Sequence, residues 1–491
     1  MNVHVTLHGR HDLAGQIYRQ LRAGVVDGRL APGERLPSTR ELATQLGVSR
    51  KTTLDVFERL ISEGYLRTRT GDGTFVADEM TRLAPAPPRP AALQRADTLW
   101  DAIPDVLPIT HAGPSPECDF AGGVTDKRLF PFDQWRRCVG HALRVQARGG
   151  GNYRDPAGEQ ELRLAVSRYL AFSRAVVSNW QEVVVTQGAQ QALDLLARVA
   201  LRPGDVVAVE DPGYPPARIL FTAIGARVVS VPVDAEGLVV DALPADARMV
   251  YVTPSHQFPL GMPMSLERRL ALLDWAQRHD AVIIEDDYDG EFRFEGRPME
   301  SLKSLDNTGV VAYVGTFSKT IFPELRVGYV IPPAPLATAI RKAKQVGDWH
   351  GCTMTQTALA KFMLDGYFAK HLRRMHKAYA ARRRLLLDHL EQELSPWLAP
   401  LPAWAGIHLV AVLKSGDNAD LATSAEQAMI ARAATASVGL YGISGMFVGQ
   451  PARAGILFGY GGIETTDIDK GMTRLARALG ARTSAGSDFV G

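Results

Sequence analysis

Gly315-Thr316-Phe317-Ser318-Lys319-Thr320-Ile321-Phe322-Pro323-Glu324-Leu325-Arg326-Val327-Gly328-Tyr329 is the stretch on which the reading of this chain turns. It follows an apolar run, Val310 to Val314, that reads as a buried strand. Glycine and serine make a tight turn after that strand, and the turn presents Lys319 at the strand's C-terminal end, where open α/β sheets display ligand groups. An amine so placed is suited to form an imine. Thr316 and Ser318 add hydroxyls, and Arg326, seven residues beyond the lysine, adds a guanidinium; together they suit a phosphate monoester. Imine chemistry beside a phosphate grip is that of pyridoxal phosphate. Desolvation and the charge of Arg326 are expected to depress the Lys319 pKa, as an imine-forming amine requires.

Three further stretches point to the same place. Ile283-Ile284-Glu285-Asp286-Asp287-Tyr288 puts acids at the end of another buried strand, and a carboxylate there suits the protonated nitrogen of a pyridine ring. Asp286 precedes Lys319 by 33 residues, room for the helix and strand that bring both strand ends to one site; without Lys319, such an acidic pair at a strand end is usually a solvated turn. Thr186-Gln187-Gly188-Ala189-Gln190-Gln191 follows the strand Val183 to Val185 and opens a helix, whose free N–H groups suit a phosphate. Glu210-Asp211-Pro212-Gly213-Tyr214-Pro215 ends the next strand. Tyr214 there either stacks on a ring or covers the sheet edge.

Outside these stretches the pattern is of apolar strands (Val206 to Val209, Met249 to Val252, Val282 to Ile284) alternating with helical segments. This predicts an α/β domain with a mainly parallel sheet over residues 117–480, its smaller α/β subdomain occupying about 380–480. Residues 80–116, dense in Pro and Ala, read as a semi-rigid linker with a short helix near Thr98 to Val106. Residues 10–79 precede it as a separate domain. With 491 residues, several cores are expected, and 46% hydrophobic and 22% charged residues are ordinary for a globular protein. Cys118, Cys138 and Cys352 form no CxxC pair, which predicts neither a zinc site nor a disulfide framework and fits a reducing cytoplasm. No membrane span or secretory signal is expected. A net charge of +2 selects no partner.

The N-terminal domain reads as a winged helix-turn-helix. Leu13, Ile17, Leu21 and Val25 recur every four residues, predicting a helix over Leu13 to Val26. Ser38 with Glu41 forms a capping-box signal for Thr39 to Leu46, and Gly47 turns the chain. The next helix opens at Ser49 with Arg50, Lys51, Thr52 and Thr53, while Leu54, Phe57, Leu60 and Ile61 are assigned to the core. Polar, basic residues at the N-terminal end of such a helix suit major-groove insertion. Arg67 to Val76, with Gly71-Asp72-Gly73 at its centre, reads as a hairpin whose Arg67 and Arg69 suit a wing on the phosphates or minor groove. Residues 1–80 hold eleven Lys/Arg against ten Asp/Glu, but no acid falls within Ser49 to Leu54 or Tyr65 to Gly71. A winged helix that binds only protein is the alternative.

Over residues 12–77, LPSTRELATQLGVSRKTTLDVFERLISEGYL resembles the GntR winged-helix family. That resemblance implies DNA contacts at Arg40, Ser49, Arg50, Thr52 and Thr53 and at the wing glycines Gly71 and Gly73. From Asp119 to Leu479 the strings NYRDPAGEQELRLAVSRYL, VTQGAQQALDL, EDPGYPPAR, VTPSHQFPLGMPMS, IIEDDYDGEF and GTFSKTIFPELRVGY are similar to fold-type I aminotransferases. The combination resembles the MocR group of GntR regulators. It implies that Lys319 carries pyridoxal phosphate as an internal aldimine, that Asp286 pairs with the ring nitrogen, that Tyr288 bonds the phenolate oxygen and that Tyr214 stacks. Gly188, Ala189, Gln190, Thr316, Ser318 and Arg326 would hold the phosphate. Tyr153 would reach the phosphate of the partner subunit, in a head-to-tail, domain-swapped homodimer.

Two departures from the aminotransferase pattern stand out. Where transaminases have an Asn-Pro-Thr-Gly turn, this chain reads His256-Gln257-Phe258-Pro259-Leu260-Gly261, a replacement also seen in the MocR group. Where transaminases place an arginine for the substrate carboxylate, Leu457 stands here, with Arg453 a few residues earlier as a substitute; leucine cannot form a bidentate clamp. Arg453 and His256 are therefore the candidate effector contacts. The leading expectation is a regulator whose binding to double-stranded DNA is controlled by pyridoxal phosphate, alone or with an amine or amino acid. A transaminase carrying a winged helix and a cofactor-free scaffold are the competitors. His371 and His376, on a predicted helix, are read as surface or interface residues.

Overall fold

Periodicity dictates the helices of the first of two units, Met1–Thr98 and Leu99–Gly491, into which the computed structural model divides. The structure describes residues 5–9, 11–78, 99–103, 115–296, 300–414, 419–449, 451 and 453–480. In the first unit, α1 (Leu13–Val26) buries Ile17, Leu21 and Val25 on one stripe. Helix α2 (Thr39–Leu46) starts from Ser38 through a reciprocal capping box with Glu41, and Gly47 ends it at φ 66°. Helix α3 (Arg50–Ser62) is capped by Ser49, whose hydroxyl accepts from the Thr52 N–H. Strands β1 (Leu66–Arg69) and β2 (Gly73–Val76) pair antiparallel, Leu66 opposite Val76. The three helices and the hairpin enclose a core that includes Leu36, Leu42, Val56, Phe57 and Leu60.

Two assignments on α3 change. Leu54, expected in the core, is 41% exposed. Thr53, expected to touch DNA, is fully buried and donates its hydroxyl to the Thr39 and Arg50 carbonyls at 2.8 and 3.0 Å. The inward stripe is Thr53, Val56, Phe57 and Leu60. A helix with a polar first turn still has to turn one residue of it toward its neighbour, and a threonine fits because its hydroxyl finds local carbonyls.

The second unit is built on an eight-stranded sheet. Its order is Val184–Thr186, Gly328–Ile331, Val311–Thr316, Val282–Asp287, Ala247–Val252, Val206–Asp211, Arg227–Asp234, Gly237–Leu238. The sheet is mainly parallel, as expected. Gly328–Ile331 runs antiparallel to both neighbours, as does the edge strand Gly237–Leu238 to its one. The central strands are buried along nearly their whole length, Arg248 being exposed, which near-continuous valine and isoleucine make possible. A smaller four-stranded antiparallel sheet, Leu398–Pro400, His408–Leu413, Gly455–Gly459 and Tyr441–Gly442, carries the long helix Tyr367–Gln392 and the helix Thr465–Leu479. Cys118–Asp119 pairs with Val438–Gly439, which delivers the segment after it, Phe120 to Gly123, to the small sheet; the Gly459 N–H donates to the Phe120 carbonyl at 2.8 Å.

Most of the stretch read as a linker lies outside the described residues; within it, Leu99–Ala102 forms a single 3₁₀ turn. Among the described residues no helix is long and apolar enough to cross a membrane. Cys118, Cys138 and Cys352 are free thiols. His371, read from sequence as a surface or interface residue, is buried, with Nε2 2.9 Å from the Thr320 carbonyl, and burial lowers its pKa to about 4.

Candidate functional site

Strand register brings the scattered motifs together. Val282–Asp287 and Val311–Thr316 run parallel with Asp286 opposite Val314, so the acid sits two residues below the turn that leads to Lys319. Thr316 pairs with Gly328, and Gly328 in turn with Thr186. That antiparallel strand returns Arg326 to the start of the helix Ala189–Ala200. A Cβ on Gly328 would lie 2.9 Å from the Gly188 Cα, so glycine is required for this approach.

The result is a cavity of about 240 Å³ at the C-terminal ends of the strands. Of the residues read from sequence, Ala189, Gln190, Tyr214, Asp286, Tyr288, Thr316, Ser318, Lys319 and Arg326 line it. Gly188 stands immediately behind: φ is 79°, and a Cβ there would come within 2.8 Å of the Arg326 guanidinium, which donates to the Gln187 carbonyl at 2.9 Å. Thr316 Oγ1 donates to Ser318 Oγ at 3.0 Å and accepts from the Ser318 N–H at 3.2 Å, so the turn holds its own hydroxyls in place. A guanidinium, two hydroxyls and a helix N-terminus thus meet at one end of the cavity.

Asp286 is the one acid among the described lining residues. It is 4% exposed; Tyr251 donates to Oδ2 at 2.8 Å, and Oδ1 is buried with no partner. Burial pushes its pKa up to about 7, against the Tyr251 hydrogen bond. Its neighbour Asp287 points elsewhere and behaves oppositely. Burial would raise its pKa, but the Arg174 guanidinium at 2.5 Å and the Tyr313 hydroxyl at 2.6 Å hold it below the ordinary value. Lys319 donates to the Gly123 carbonyl at 2.9 Å. Burial lowers its pKa, Asp289 and Asp286 oppose this, and Arg326 adds to the lowering.

Tyr288 reaches the cavity, but its hydroxyl donates to the His256 carbonyl at 2.9 Å and lies 3.0 Å from His256 Nδ1. His256 is not in the wall. It is buried behind Tyr288, with Nδ1 3.1 Å from both oxygens of Asp289. Arg453 lies outside the site as well: it is exposed and borders a separate cleft with Asp234, Glu236 and Trp404, because the chain reaches the small sheet only at Gly455. Leu457 is buried in an apolar cluster with Leu260, Val410 and Ile443. Tyr153 is 73% exposed, packed on Trp349 with ring centroids 4.5 Å apart, and does not line this chain's own cavity.

Several wall residues were not singled out in the sequence. Tyr251 lies on a strand read only as core and Thr253 just past its end, and alternation alone did not say which side chain met the site. Gly122, Gly123, Ile407 and His408 come from the first segment of the unit and from the small sheet. They carry no local motif, and only the pairing of distant strands brings them in.

In the first unit, Arg40, Ser49, Arg50, Lys51 and Arg69 are exposed and Thr52 is partly so, whereas Arg67 is tied to Asp78. Arg69 stands over the Phe75 ring at 4.9 Å. The wing glycines Gly71 and Gly73 have φ of 82° and 119°, and Arg35, absent from the sequence-derived candidates, lies against Gly73.

A winged helix-turn-helix followed by an aminotransferase-like body with a lysine in its cleft defines a class of transcription regulators. Residues 13–76 match the bacterial regulatory proteins of the gntR family, and residues 126–444 match aminotransferase class I and II. The chain belongs to the MocR group of GntR-family transcription regulators. It is 36% identical to the probable rhizopine catabolism regulatory protein MocR of Rhizobium meliloti, over 96% of this chain and 94% of that one. It is 32% identical to the pyridoxine biosynthesis transcriptional regulator PdxR of Corynebacterium glutamicum, over 92% and 93%. The crystal structure of Pyrococcus horikoshii kynurenine aminotransferase superposes with a TM-score of 0.67 at 28% identity, covering 74% of this chain and 91% of that one. The GntR domain marks a DNA-binding protein, and the aminotransferase fold is that of a family dependent on pyridoxal phosphate.

Proposed function

We propose that the cavity holds pyridoxal phosphate and that its occupancy, alone or together with an amine or amino acid, controls binding of the chain to its operator. One observation carries this reading: Asp286 keeps a buried oxygen without a partner in the same cavity as the Lys319 amine and the Gly188–Arg326 cradle. A lone buried acceptor is costly unless a donor fills it, and a pyridine N–H is such a donor. Bound there, the group supplies an aldehyde reactive toward amines and a ring able to accept electrons.

The chain's own residues then divide the work. Asp286 accepts the ring N–H and, once paired, is favoured as the carboxylate. Arg326, the hydroxyls of Thr316 and Ser318, and the backbone at Gly188, Ala189 and Gln190 hold the phosphate. Lys319 holds the aldehyde carbon, Tyr214 flanks the ring, and Tyr288 faces the ring oxygen with its hydroxyl steadied by the His256–Asp289 pair. Tyr153, exposed here, serves the phosphate of the partner in a head-to-tail homodimer. Residues 10–79 read DNA through Arg40, Ser49, Arg50, Lys51, Thr52 and Arg69, residues 80–116 link, and residues 117–480 sense, in the cytoplasm. Leu457, in an apolar cluster, supports a sensor over an amino-acid transaminase.

Purified protein mixed with pyridoxal phosphate is expected to turn yellow, with a visible band that Lys319→Ala abolishes. A colourless wild type would overturn the reading. Footprinting upstream of the chain's own gene, with Arg50→Ala as control, tests the DNA arm; loss of one phosphate contact should lower the salt slope by about 1.

A further inference from the structure

His408 is the one imidazole in the described cavity wall, and it is 2% exposed. Its Nε2 lies 3.0 Å from the Pro259 carbonyl, which only accepts, so Nε2 carries the proton. Burial, with His256 adding to it, lowers the pKa to about 3 and keeps the ring neutral. Nδ1 is therefore left as an acceptor with no hydrogen-bond partner of its own. The described cations of the wall are Lys319 and Arg326, and the second belongs to the phosphate end. Leu457 fills its position with apolar side chains around it, so this strand offers nothing to a carboxylate. At the small-sheet end the wall consists of Ile407, His408 and the Gly122–Gly123 backbone, whose Gly123 carbonyl is a further acceptor, now taking the Lys319 ammonium.

The His408 Nδ1, an acceptor with no donor of its own, selects a ligand that donates at that point. A carboxylate brought against that nitrogen would set two acceptors face to face and leave the imidazole without a donor, and unpaired buried polar groups discriminate more strongly than missing apolar contacts do. We infer that the effector is a primary amine bearing a neighbouring hydroxyl or second amine in place of an α-carboxylate, and that His408 is the specificity-determining residue that accepts a hydrogen bond from that group. This rests on the reading that the cavity holds pyridoxal phosphate and goes beyond it to the ligand class.

The test uses the full chain loaded with pyridoxal phosphate, titrated with 2-aminopropane-1,3-diol, L-serine, D-serine and propylamine while the visible band is followed. The diol is expected to bind about tenfold or more tightly than either serine, which differs by a carboxylate, and than propylamine, which lacks the donors. His408→Phe should bring the diol to within about twofold of propylamine while the band keeps its wild-type intensity, whereas His408→Gln, which retains an acceptor, should keep most of the preference. Serine binding as tightly as the diol, no response to any amine, or a preference unchanged in His408→Phe would each overturn the inference and leave the cofactor reading standing. If both variants fail to fold, the wild-type preference decides. Absence of any Lys319-dependent band overturns the cofactor reading and this inference with it.

Discussion

Asp286 sits where its charge is least welcome until a partner arrives. In the cofactor-free protein its pKa is about 7, against roughly 3.9 for an unfolded aspartate. Between those values the folded chain binds a proton that the unfolded chain has lost, so this residue lowers stability as pH rises from about 4 to 7, after which the loss is constant. Three pH units bound the effect at about 4 kcal/mol. Asp286→Asn is therefore expected to raise the melting temperature of the cofactor-free protein at pH 8, and to flatten its decline over pH 4 to 7, while weakening retention of the cofactor. A calorimetric series with and without pyridoxal phosphate checks both halves; Glu210 and Glu285, also raised to about 7 by burial, keep part of the slope in either protein. Gly188 is limited differently. Its φ of 79° with ψ of 177° is open to glycine alone, and a Cβ would displace the Arg326 guanidinium. Gly188→Ala should lower affinity for pyridoxal phosphate by roughly tenfold or more, measured by equilibrium dialysis.

Helix α3 separates reading from support within one turn. Ser49, Arg50 and Lys51 stand out toward solvent, while Thr53, one residue past Thr52, ties the helix to the Thr39 carbonyl at the start of α2. Thr53→Val keeps the shape and removes the one hydroxyl proton that the Thr39 and Arg50 carbonyls share, so it should cost about 1 kcal/mol in stability of this unit. The folded fraction is expected to bind operator with unchanged affinity, a result that thermal melts and fluorescence anisotropy together would report. A loss of affinity without a loss of stability would return Thr53 to the DNA contacts. The same division holds in the sheet, where Gly328–Ile331 contributes little chemistry itself but carries Arg326 back to Gly188 by running antiparallel.

For the whole chain, linkage sets a condition any control mechanism must meet. If an effector on the cofactor-loaded protein changes operator affinity by some factor, operator DNA must change effector affinity by that same factor. Titrating the amine with and without saturating operator DNA should return equal factors, typically 5- to 150-fold for coupled sites. Unequal factors, or no change in either direction, would mean that the ligand seen by the cleft is not the one that controls the promoter.

The sequence alone determined the elements and most of the chemistry. Amphipathic spacing and capping residues bounded α1 and α2, valine-rich runs announced the strands, and Lys319 stood out on a glycine-serine turn, Asp286 as an acid at a strand's C-terminal end and Arg326 seven residues past the lysine. Local signals of that kind are written in neighbouring residues. Only the tertiary structure decided which side chains meet. It drew Tyr251 onto Asp286, set His256 behind Tyr288, buried Thr53, sent Arg453 to another cleft and brought His408 from a different sheet into the wall. Those outcomes depend on register between strands far apart in the chain, where a shift of one residue exchanges every inward side chain for an outward one, and no local pattern records it.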